Sequence, residues 1–424
     1  MAISKSILCS KWILVTLALT GLLSFGGEGR TSSNPVTAAD ILGNPDYIAL
    51  SYGGYRQSSR NSPPSVTDIK EDLRIMSAMG VKLLRTYNTQ QFSHAANLIQ
   101  AIHELKNEVS DFEMFVMLGV WIQCQGAFGD SPDHTVGDDV NNHAEIAAAV
   151  QMVNDYPDIV KIIAVGNEAM VKWATSYYVE PSIILEQVNY LQALKADGEI
   201  PAETWITSSD NFASWGGGSS DYHTDKLVEL VEAVDFISLH TYPFHDTHYN
   251  PSFWAVPADE ETLSKTSQIE AAMKRARDYA ISQYQGVGNY VASLNLSKPL
   301  HIGESGWSTT DNALYNESGS AAADEFKAKL YYDHMRAWTN ENQISLFYFE
   351  AFDEKWKDSN NALGSENHFG LINLEGQAKY VLWEMVERGV FDGLSRGGVS
   401  ITKTYNGDEA AMMADLHVPD TATK

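Results

Sequence analysis

The sequence is poor in cysteine. Its 424 residues include two, Cys9 and Cys124, and Cys9 lies in an N-terminal apolar segment that we expect to be removed. Cys124 is then alone in the mature chain, which excludes an internal disulfide. A hydrophobic content of 44% with 11% aromatic residues is ample for a substantial core. Length alone permits one large barrel or two or three ordinary domains.

Basic residues are also scarce. The chain has 29 Lys and Arg against 55 Asp and Glu, which gives a formal net charge of -26 and a pI near 4.7. Nucleic acid and anionic membranes both require basic surface, so neither is an expected partner. A neutral or cationic substrate is favoured. A simpler explanation, that acidity keeps an exported protein soluble, accounts for the charge equally well.

Long hydrophobic runs are missing except at the N-terminus. There, Lys5 and Lys11 precede the apolar stretch 12–25, and small and polar residues follow at 26–34. This order predicts a secretory signal over residues 1–30 and a secreted protein, extracellular, periplasmic or associated with the cell wall. We expect no membrane contact once the signal is removed. The alternative is an uncleaved anchor, for which the run is at the short end of the spanning range.

The rest of the chain shows no linker or repeat, but alternates short apolar runs with amphipathic stretches. The predicted strands are 47–52, 82–87, 114–121, 161–167, 204–208, 234–240, 300–303 and 344–349. The predicted helices are 65–79, 92–108, 142–155, 181–197, 225–232, 269–284, 321–340 and 376–388. Strand followed by helix, eight times, predicts an α/β fold with a single (β/α)8 TIM barrel over residues 40–392. For residues 393–424 we expect a C-terminal cap or a poorly ordered tail.

Two of the predicted strands end in a glutamate. The sequence KIIAVGNE at 161–168 ends in Glu168, and KPLHIGESGW at 298–307 contains Glu304 after an apolar run. The carboxyl ends of barrel strands carry the catalytic residues of such enzymes. A single glutamate there is more often part of an ion pair, but two matching strand ends favour a pair of carboxylates for glycoside hydrolysis.

Several motifs resemble glycoside hydrolase family 17. They are VGNEA at 165–169, GESGW at 303–307, FEAFDEKWK at 349–357, RTYN at 85–88, the dipeptide YP at 242–243 and HFGL at 368–371. The similarity covers about 47–388, and FEAFDEKWK is its most specific element. The resemblance implies a retaining hydrolase of β-1,3-glucan, such as laminarin, that works by double displacement without a cofactor.

The resemblance also implies roles for individual residues. Glu168 would be the acid/base and Glu304 the nucleophile, with their carboxyls about 5–5.5 Å apart. Asn167 would hold the sugar 2-hydroxyl. Tyr87 and Tyr242 would border the reacting sugar, and Glu350 and Glu354 would support the site from the eighth strand. Apart from the resemblance, the positions of Trp121, Trp307 and Trp356 near predicted strand ends add these three rings to the expected substrate-binding residues.

Other side chains allow two interpretations. Arg85 is expected either to keep Glu304 ionised or to form an ordinary internal ion pair. Aromatic rings near strand ends either stack on sugars or pack in the core, and Trp307 and Trp356 are our preferred sugar platforms because they lie inside the matched motifs. His240, His245 and His248 match no strong zinc pattern, so no metal is expected.

Three functions remain open at this point. A β-1,3-glucanase, with endo cleavage favoured over exo, is the first. A β-1,3-glucanosyltransferase would use the same covalent intermediate and pass it to a sugar hydroxyl. A non-catalytic glucan-binding wall protein would have kept the barrel only, although the intact Asn167, Glu168 and Glu304 oppose this. We expect a monomer whose partner is a β-1,3-glucan polysaccharide or oligosaccharide.

Overall fold

The structure, a computed structural model, describes residues 35–421. The predicted signal at 1–30 lies outside the described residues. From Val36 onward the chain forms one compact unit.

Eight parallel strands close into a barrel. They are β1 (Ile48–Ser51), β2 (Val81–Arg85), β3 (Phe115–Val120), β4 (Val160–Asn167), β5 (Trp205–Asn211), β6 (Ile237–His240), β7 (Leu300–Gly306) and β8 (Leu346–Phe349). Each strand pairs with its neighbour in sequence, and β1 pairs with β8 to complete the ring. The predicted single (β/α)8 barrel is confirmed.

Alternation along the strands separates two cores. On β3, Phe115 and Met117 belong to a cluster inside the barrel, whereas Val116 and Leu118 face the helices. This is the two-residue period of a strand that is buried on both faces. The short helix α1 (Ala38–Ile41) joins the inner cluster, so it fills the end of the barrel where the strands begin. The opposite end remains for the functional side chains.

The helices surround the barrel. They are α2 (Val66–Ala78), α3 (His94–Glu108), α4 (Asp139–Asp155), α5 (Pro181–Ala196), α6 (Asp225–Ala233), α7 (Pro243–Tyr249), α8 (Lys265–Ser293), α9 (Glu325–Glu341), α10 (Trp383–Glu387) and α11 (Glu409–Ala414). Ser65 starts α2 with a capping box in which its hydroxyl accepts from the Asp68 amide at 3.2 Å. Within residues 35–421, no helix is long and apolar enough to span a membrane.

Several elements differ in extent from the sequence prediction, among them β5 and α8, which are both longer than predicted. Two further differences concern the glutamate of β7 and the end of the barrel. The strand predicted at 300–303 continues as β7 to Gly306, so Glu304 is part of the strand rather than the residue after it. The helix predicted at 376–388 was wrong over most of its length, because only α10 is α-helical there. Gly376 has a left-handed φ of 78°, and a short strand, Gln377–Ala378, follows it.

The C-terminal region packs against the barrel. Leu416 and Met412 are buried, and the Arg396 guanidinium donates to the buried carboxylate of Asp72 on α2 at 2.9 Å. Short strands at Ser395–Arg396, Val399–Ser400 and Thr402–Lys403 precede α11. The described part of this region is therefore held to the barrel by buried side chains and an ion pair.

Candidate active site

A cleft of about 550 Å³ crosses the end of the barrel where the strands finish. Tyr55 and Trp356 line one part of it, in the loops after β1 and β8. Trp121 and Tyr177 line another part, in the loops after β3 and β4. Asn167 and Glu304 lie in the wall of the same cleft. The two predicted strand ends therefore meet in a single depression of the surface.

Glu304 is held by two donors. The Arg85 guanidinium on β2 donates through Nη1 to Oε1 of Glu304, and the Tyr242 hydroxyl donates to Oε2 at 2.8 Å. Arg85 is 1% exposed and the Glu304 side chain 7%, so water screens this ion pair little. The partner of Arg85 in this ion pair is thus Glu304 itself.

The surroundings of Glu304 determine its charge. Burial raises the pKa of this carboxyl, but His240, Arg85 and the two hydrogen bonds lower it more, and the resulting pKa is about 2. Glu304 is therefore an anion throughout the neutral and mildly acidic range. An ionised, desolvated carboxylate pointing into a cleft has the properties of a nucleophile.

Arg85 also links the two strand ends. Its second terminal nitrogen, Nη2, donates to Oδ1 of Asn167 at 2.6 Å. The same guanidinium thus orients Asn167 and Glu304, which are far apart in sequence. Because Oδ1 accepts from Arg85, the amide NH₂ of Asn167 is available as a donor to a ligand in the cleft.

Glu168 and Glu304 are connected through His240, the last residue of β6. The Nδ1 atom of His240 lies 3.1 Å from Oε1 of Glu168 and 3.7 Å from Oε2 of Glu304. These two distances limit the separation of the two carboxylate oxygens to roughly 7 Å, a range that includes the 5–5.5 Å of retaining glycosidases. The other ring nitrogen of His240 is 2.8 Å from the Ser209 hydroxyl on β5.

The backbone around Glu168 is unusual. Gly166 has a φ of 84° and Glu168 a φ of 44°, both in the left-handed region. A left-handed non-glycine residue stores strain and persists only where its neighbours hold it. Here the Glu168 amide donates to the Ser209 carbonyl at 3.0 Å, and the Met170 amide donates to the buried Asp210 carboxylate at 2.7 Å. These bonds fix the turn that directs the Glu168 side chain.

The loop after β8 adds a buried charged group. Glu350 and Glu354 are each 1% exposed, and Lys357 contacts both carboxylates. Burial, together with the negative charge of Glu354, raises the pKa of Glu350, and Lys357 opposes this rise. Glu354 also accepts from the indole of Trp356 at 3.0 Å and thereby orients that ring at the cleft wall. Glu354 lines the cleft, whereas Glu350 supports it from behind through Lys357.

The other predicted site residues have different positions. Tyr87 lines the cleft, and the Arg85 guanidinium lies 4.8 Å from the centre of its ring. Trp121 lines the cleft as well. The assignment of Trp307 as a sugar platform was wrong. Trp307 is 1% exposed, and its indole donates to the Ala322 carbonyl among Phe244, Trp254 and Tyr331, because its side chain points from β7 toward the helices.

Sequence reasoning missed three contributors to this region. His240 was considered only as a metal ligand, although its position at a strand end resembles that of Glu168. Arg60, whose guanidinium lies 4.6 Å from the Phe92 ring and 4.5 Å from the Trp356 ring, gave no sequence signal. Phe128 lies in a loop whose path a sequence does not reveal. Among residues 35–421, no cluster of His, Cys, Asp and Glu side chains has the arrangement of a metal site.

The barrel and its paired glutamates define an enzyme of the glycoside hydrolase type. The comparison with known families agrees, since residues 49–370 match the BtgE/BtgC glycoside hydrolase domain. This chain belongs to that family.

The chain is similar to a named glucosidase and to several solved structures. A glucan 1,3-beta-glucosidase of Schizosaccharomyces pombe is 24% identical over 306 residues, 71% of this chain and 76% of the yeast protein. The crystal structure of an endo-laminarinase from Formosa Hel1_33_131 has 54% identity and a TM-score of 0.90, over 92% of this chain and 99% of that one. A glycoside hydrolase family 17 beta-1,3-glucanosyltransferase from Rhizomucor miehei has 18% identity and a TM-score of 0.52, over 79% and 96% of the two chains. That last likeness is one of fold.

Proposed function

We propose that this protein is a retaining β-1,3-glucanase of the glycoside hydrolase family 17 type, which cleaves laminarin-like chains internally. The observation that carries the proposal is the placement of Glu168 and Glu304 on either side of one His240 nitrogen, beside the cleft that Asn167 and Glu304 line. The names of the similar endo-laminarinase and glucan 1,3-beta-glucosidase support the substrate class.

The environments of the two carboxylates suggest their roles. Glu304 accepts from Arg85 and Tyr242 and carries a negative charge at neutral pH, as the nucleophile requires. Glu168, whose side chain is 16% exposed, has His240 as its hydrogen-bond partner and is free of an arginine contact among the described residues. It is therefore the residue that exchanges a proton with the leaving oxygen and with water.

The reaction proceeds in two displacements. Glu304 attacks the anomeric carbon while Glu168 gives its proton to the departing oxygen, and a glycosyl ester of Glu304 forms. Glu168, now a carboxylate, removes a proton from water, whose oxygen attacks the same carbon and releases Glu304. Asn167 donates its amide to the 2-hydroxyl, and Tyr87 and Tyr242 border the reacting sugar. Two inversions retain the β configuration.

The test compares two variants on two substrates. A long β-1,3-linked oligosaccharide needs protonation of its leaving group, whereas the β-fluoride of the β-1,3-linked glucose trisaccharide does not. Glu304→Ala should lose turnover of both, by on the order of 10⁴-fold or more. Glu168→Ala should lose kcat/KM for the oligosaccharide and keep most of its kcat/KM for the fluoride, because that ratio reports the first displacement and fluoride leaves without a proton. Its kcat on the fluoride should fall, because no base remains to activate water in the second displacement, and added azide, which needs no base, should restore it. Equal effects of the two variants on both substrates would contradict the assigned roles.

A glucanosyltransferase would share the covalent intermediate and resolve it with a sugar hydroxyl. A time course on one purified oligosaccharide distinguishes the two, because transfer produces chains longer than the starting one. A non-catalytic wall protein would show no turnover, and its glucan binding would be the same with alanine at position 304.

We also propose that the protein is exported after removal of residues 1–30 and acts as a monomer. N-terminal sequencing of protein recovered outside the cells tests the first point, and light scattering of the purified chain tests the second.

A further inference from the structure

Three aromatic rings form a continuous surface at one part of the cleft. Trp121 follows β3, Tyr177 lies in the loop after β4, and Phe128 lies between the short paired strands Cys124–Gln125 and Asp133–Gly137. The ring centres of Trp121 and Tyr177 are 5.0 Å apart, those of Phe128 and Tyr177 5.6 Å, and those of Trp121 and Phe128 6.5 Å. We call these three residues the aromatic wall.

Phe128 is held in an exposed position. Its side chain is 62% exposed, and its φ of 62° lies in the left-handed region, which is an outlier for a bulky residue. Its backbone amide donates to the Ser176 carbonyl at 2.7 Å, which ties the hairpin to the loop that carries Tyr177. A strained backbone that presents a large apolar ring to solvent indicates a constraint from function rather than from packing.

The aromatic wall belongs to the same cleft as the reacting groups. All three rings line it together with Asn167 and Glu304. The Phe128 ring is within 21° of the Trp121 plane and 31° of the Tyr177 plane, and the Trp121 and Tyr177 planes are 45° apart, so the three rings form a tilted rather than a flat surface. The ring faces suit the flat apolar sides of successive glucose units.

The position of Glu168 decides which part of the chain meets the wall. The acid must lie next to the glycosidic oxygen, because it protonates that oxygen as the bond breaks. The glucose units attached through this oxygen are the leaving portion of the substrate. Tyr177 lies in the loop that begins at Glu168, and the wall is therefore on the acid side. Burial first, and then the charge of Glu168, raise the pKa of Tyr177, which is consistent with their closeness.

We propose that the aromatic wall binds the leaving portion of the β-1,3-glucan chain. In this proposal Phe128 determines how many glucose units of the leaving portion contact the enzyme. The inference rests on the proposed function. The retained portion of the chain lies toward Trp356, Tyr55 and Arg60, at the other part of the cleft.

The test uses two substrates that differ only on the leaving side. The β-fluoride of the trisaccharide has no chain there, whereas a β-1,3-linked heptasaccharide spans both sides. Phe128→Ala should lower kcat/KM for the heptasaccharide about five- to tenfold and leave the fluoride within about twofold of the parent. Phe128→Trp keeps a large ring and should restore most of the heptasaccharide activity.

Tyr190→Ala is the matched control, because Tyr190 is a 45% exposed aromatic residue on α5 that does not line the cleft. Tyr190→Ala should leave kcat/KM unchanged for both substrates. Equal losses for Phe128→Ala on both substrates, or no loss on the heptasaccharide, would overturn the proposal. Failure of the proposed function is distinguishable, because the parent would then hydrolyse neither substrate or Glu304→Ala would remain active on both.

Discussion

Arg85 and Glu304 form a buried ion pair whose second guanidinium nitrogen holds Asn167. The two residues are separated by 219 positions in sequence, and each comes from the end of a different barrel strand. One planar cation thus sets the position of the nucleophile and of the residue assigned to the sugar 2-hydroxyl. Lysine has no second donor in that fixed geometry.

Arg85→Lys should therefore separate charge from geometry. We expect kcat/KM to fall by on the order of 10²-fold, because the ammonium keeps a positive charge but cannot hold both Asn167 and Glu304. In Arg85→Met, kcat/KM should fall further. This variant should also lower the free energy of unfolding by about 3–5 kcal/mol, since Glu304 would remain a buried charge without its arginine partner. Steady-state kinetics and urea unfolding measure these effects. Lys226→Met, at an exposed ion pair, is the control and should change stability by less than about 1 kcal/mol.

Tyr242→Phe should change the pH dependence. The hydroxyl of Tyr242 donates to Glu304 and helps to lower its pKa to about 2. A lowered folded pKa stabilises the protein above the ordinary pKa of a glutamate, and this contribution is lost as the pH falls toward 2. Removing the hydroxyl should move the acid limb of kcat/KM to higher pH and cost about tenfold at neutral pH.

The measurement for Tyr242→Phe is a pH profile of kcat/KM from pH 2 to 8, which includes the acid limb of the parent. Tyr284→Phe removes a hydroxyl that donates to the Leu300 carbonyl at 3.2 Å, outside the cleft, and serves as the control. An unchanged acid limb in Tyr242→Phe would show that this hydroxyl does not influence Glu304.

Two tryptophans from the same motifs should behave differently. Trp356 lines the cleft, so Trp356→Ala should raise KM for oligosaccharides several-fold with a small effect on unfolding. Trp307 is fully buried, so Trp307→Ala should lower the free energy of unfolding by about 3–5 kcal/mol. Its KM, measured well below the unfolding temperature, should be close to that of the parent. The reverse pattern would contradict the placement of both rings.

Asp210→Asn tests the turn after Glu168. Burial raises the pKa of Asp210 to about 7, although the Met170 and Asn211 amides donate to it and His240 opposes the effect of Glu168. A carboxyl whose pKa is higher in the folded than in the unfolded state contributes most to the free energy of unfolding at low pH. This contribution declines as the pH rises from about 4 to 7.

The asparagine variant cannot ionise at position 210, so its unfolding free energy should depend less on pH over that interval than the parent's. It also has one acceptor oxygen in place of two, which should loosen the Met170 amide and lower kcat on oligosaccharides. Urea unfolding at pH 4.5 and pH 8 measures the first effect. Asp133→Asn, at an exposed carboxylate beside Thr135, should leave the difference between the two pH values unchanged.

The strands and the glutamates at their ends could be predicted from the sequence because both depend on residues that are neighbours along the chain. A run such as 161–167 has one buried outcome on a parallel sheet, and its end must lie at the barrel mouth. The direction in which a side chain points at a strand end could not be predicted from the sequence. Trp307 and Trp356 both follow strand ends within matched motifs, yet one faces the helices and the other the cleft. The helix predicted at 376–388 shows the same limit, because an apolar pattern there is buried by short irregular segments.

The order of apolar and amphipathic segments along the chain was thus sufficient to predict the (β/α)8 barrel, because few other folds bury alternating strands and helices. It was also sufficient to predict that Glu168 and Glu304 lie at the same end of the barrel. Contacts between distant segments decided the remainder. Three relationships depend on how the ends of different strands and the loops after them converge. They are His240 between the carboxylates, Arg85 bridging Asn167 and Glu304, and Phe128 beside Trp121. Such convergence is a property of the closed barrel, because only closure brings those strand ends around a common axis.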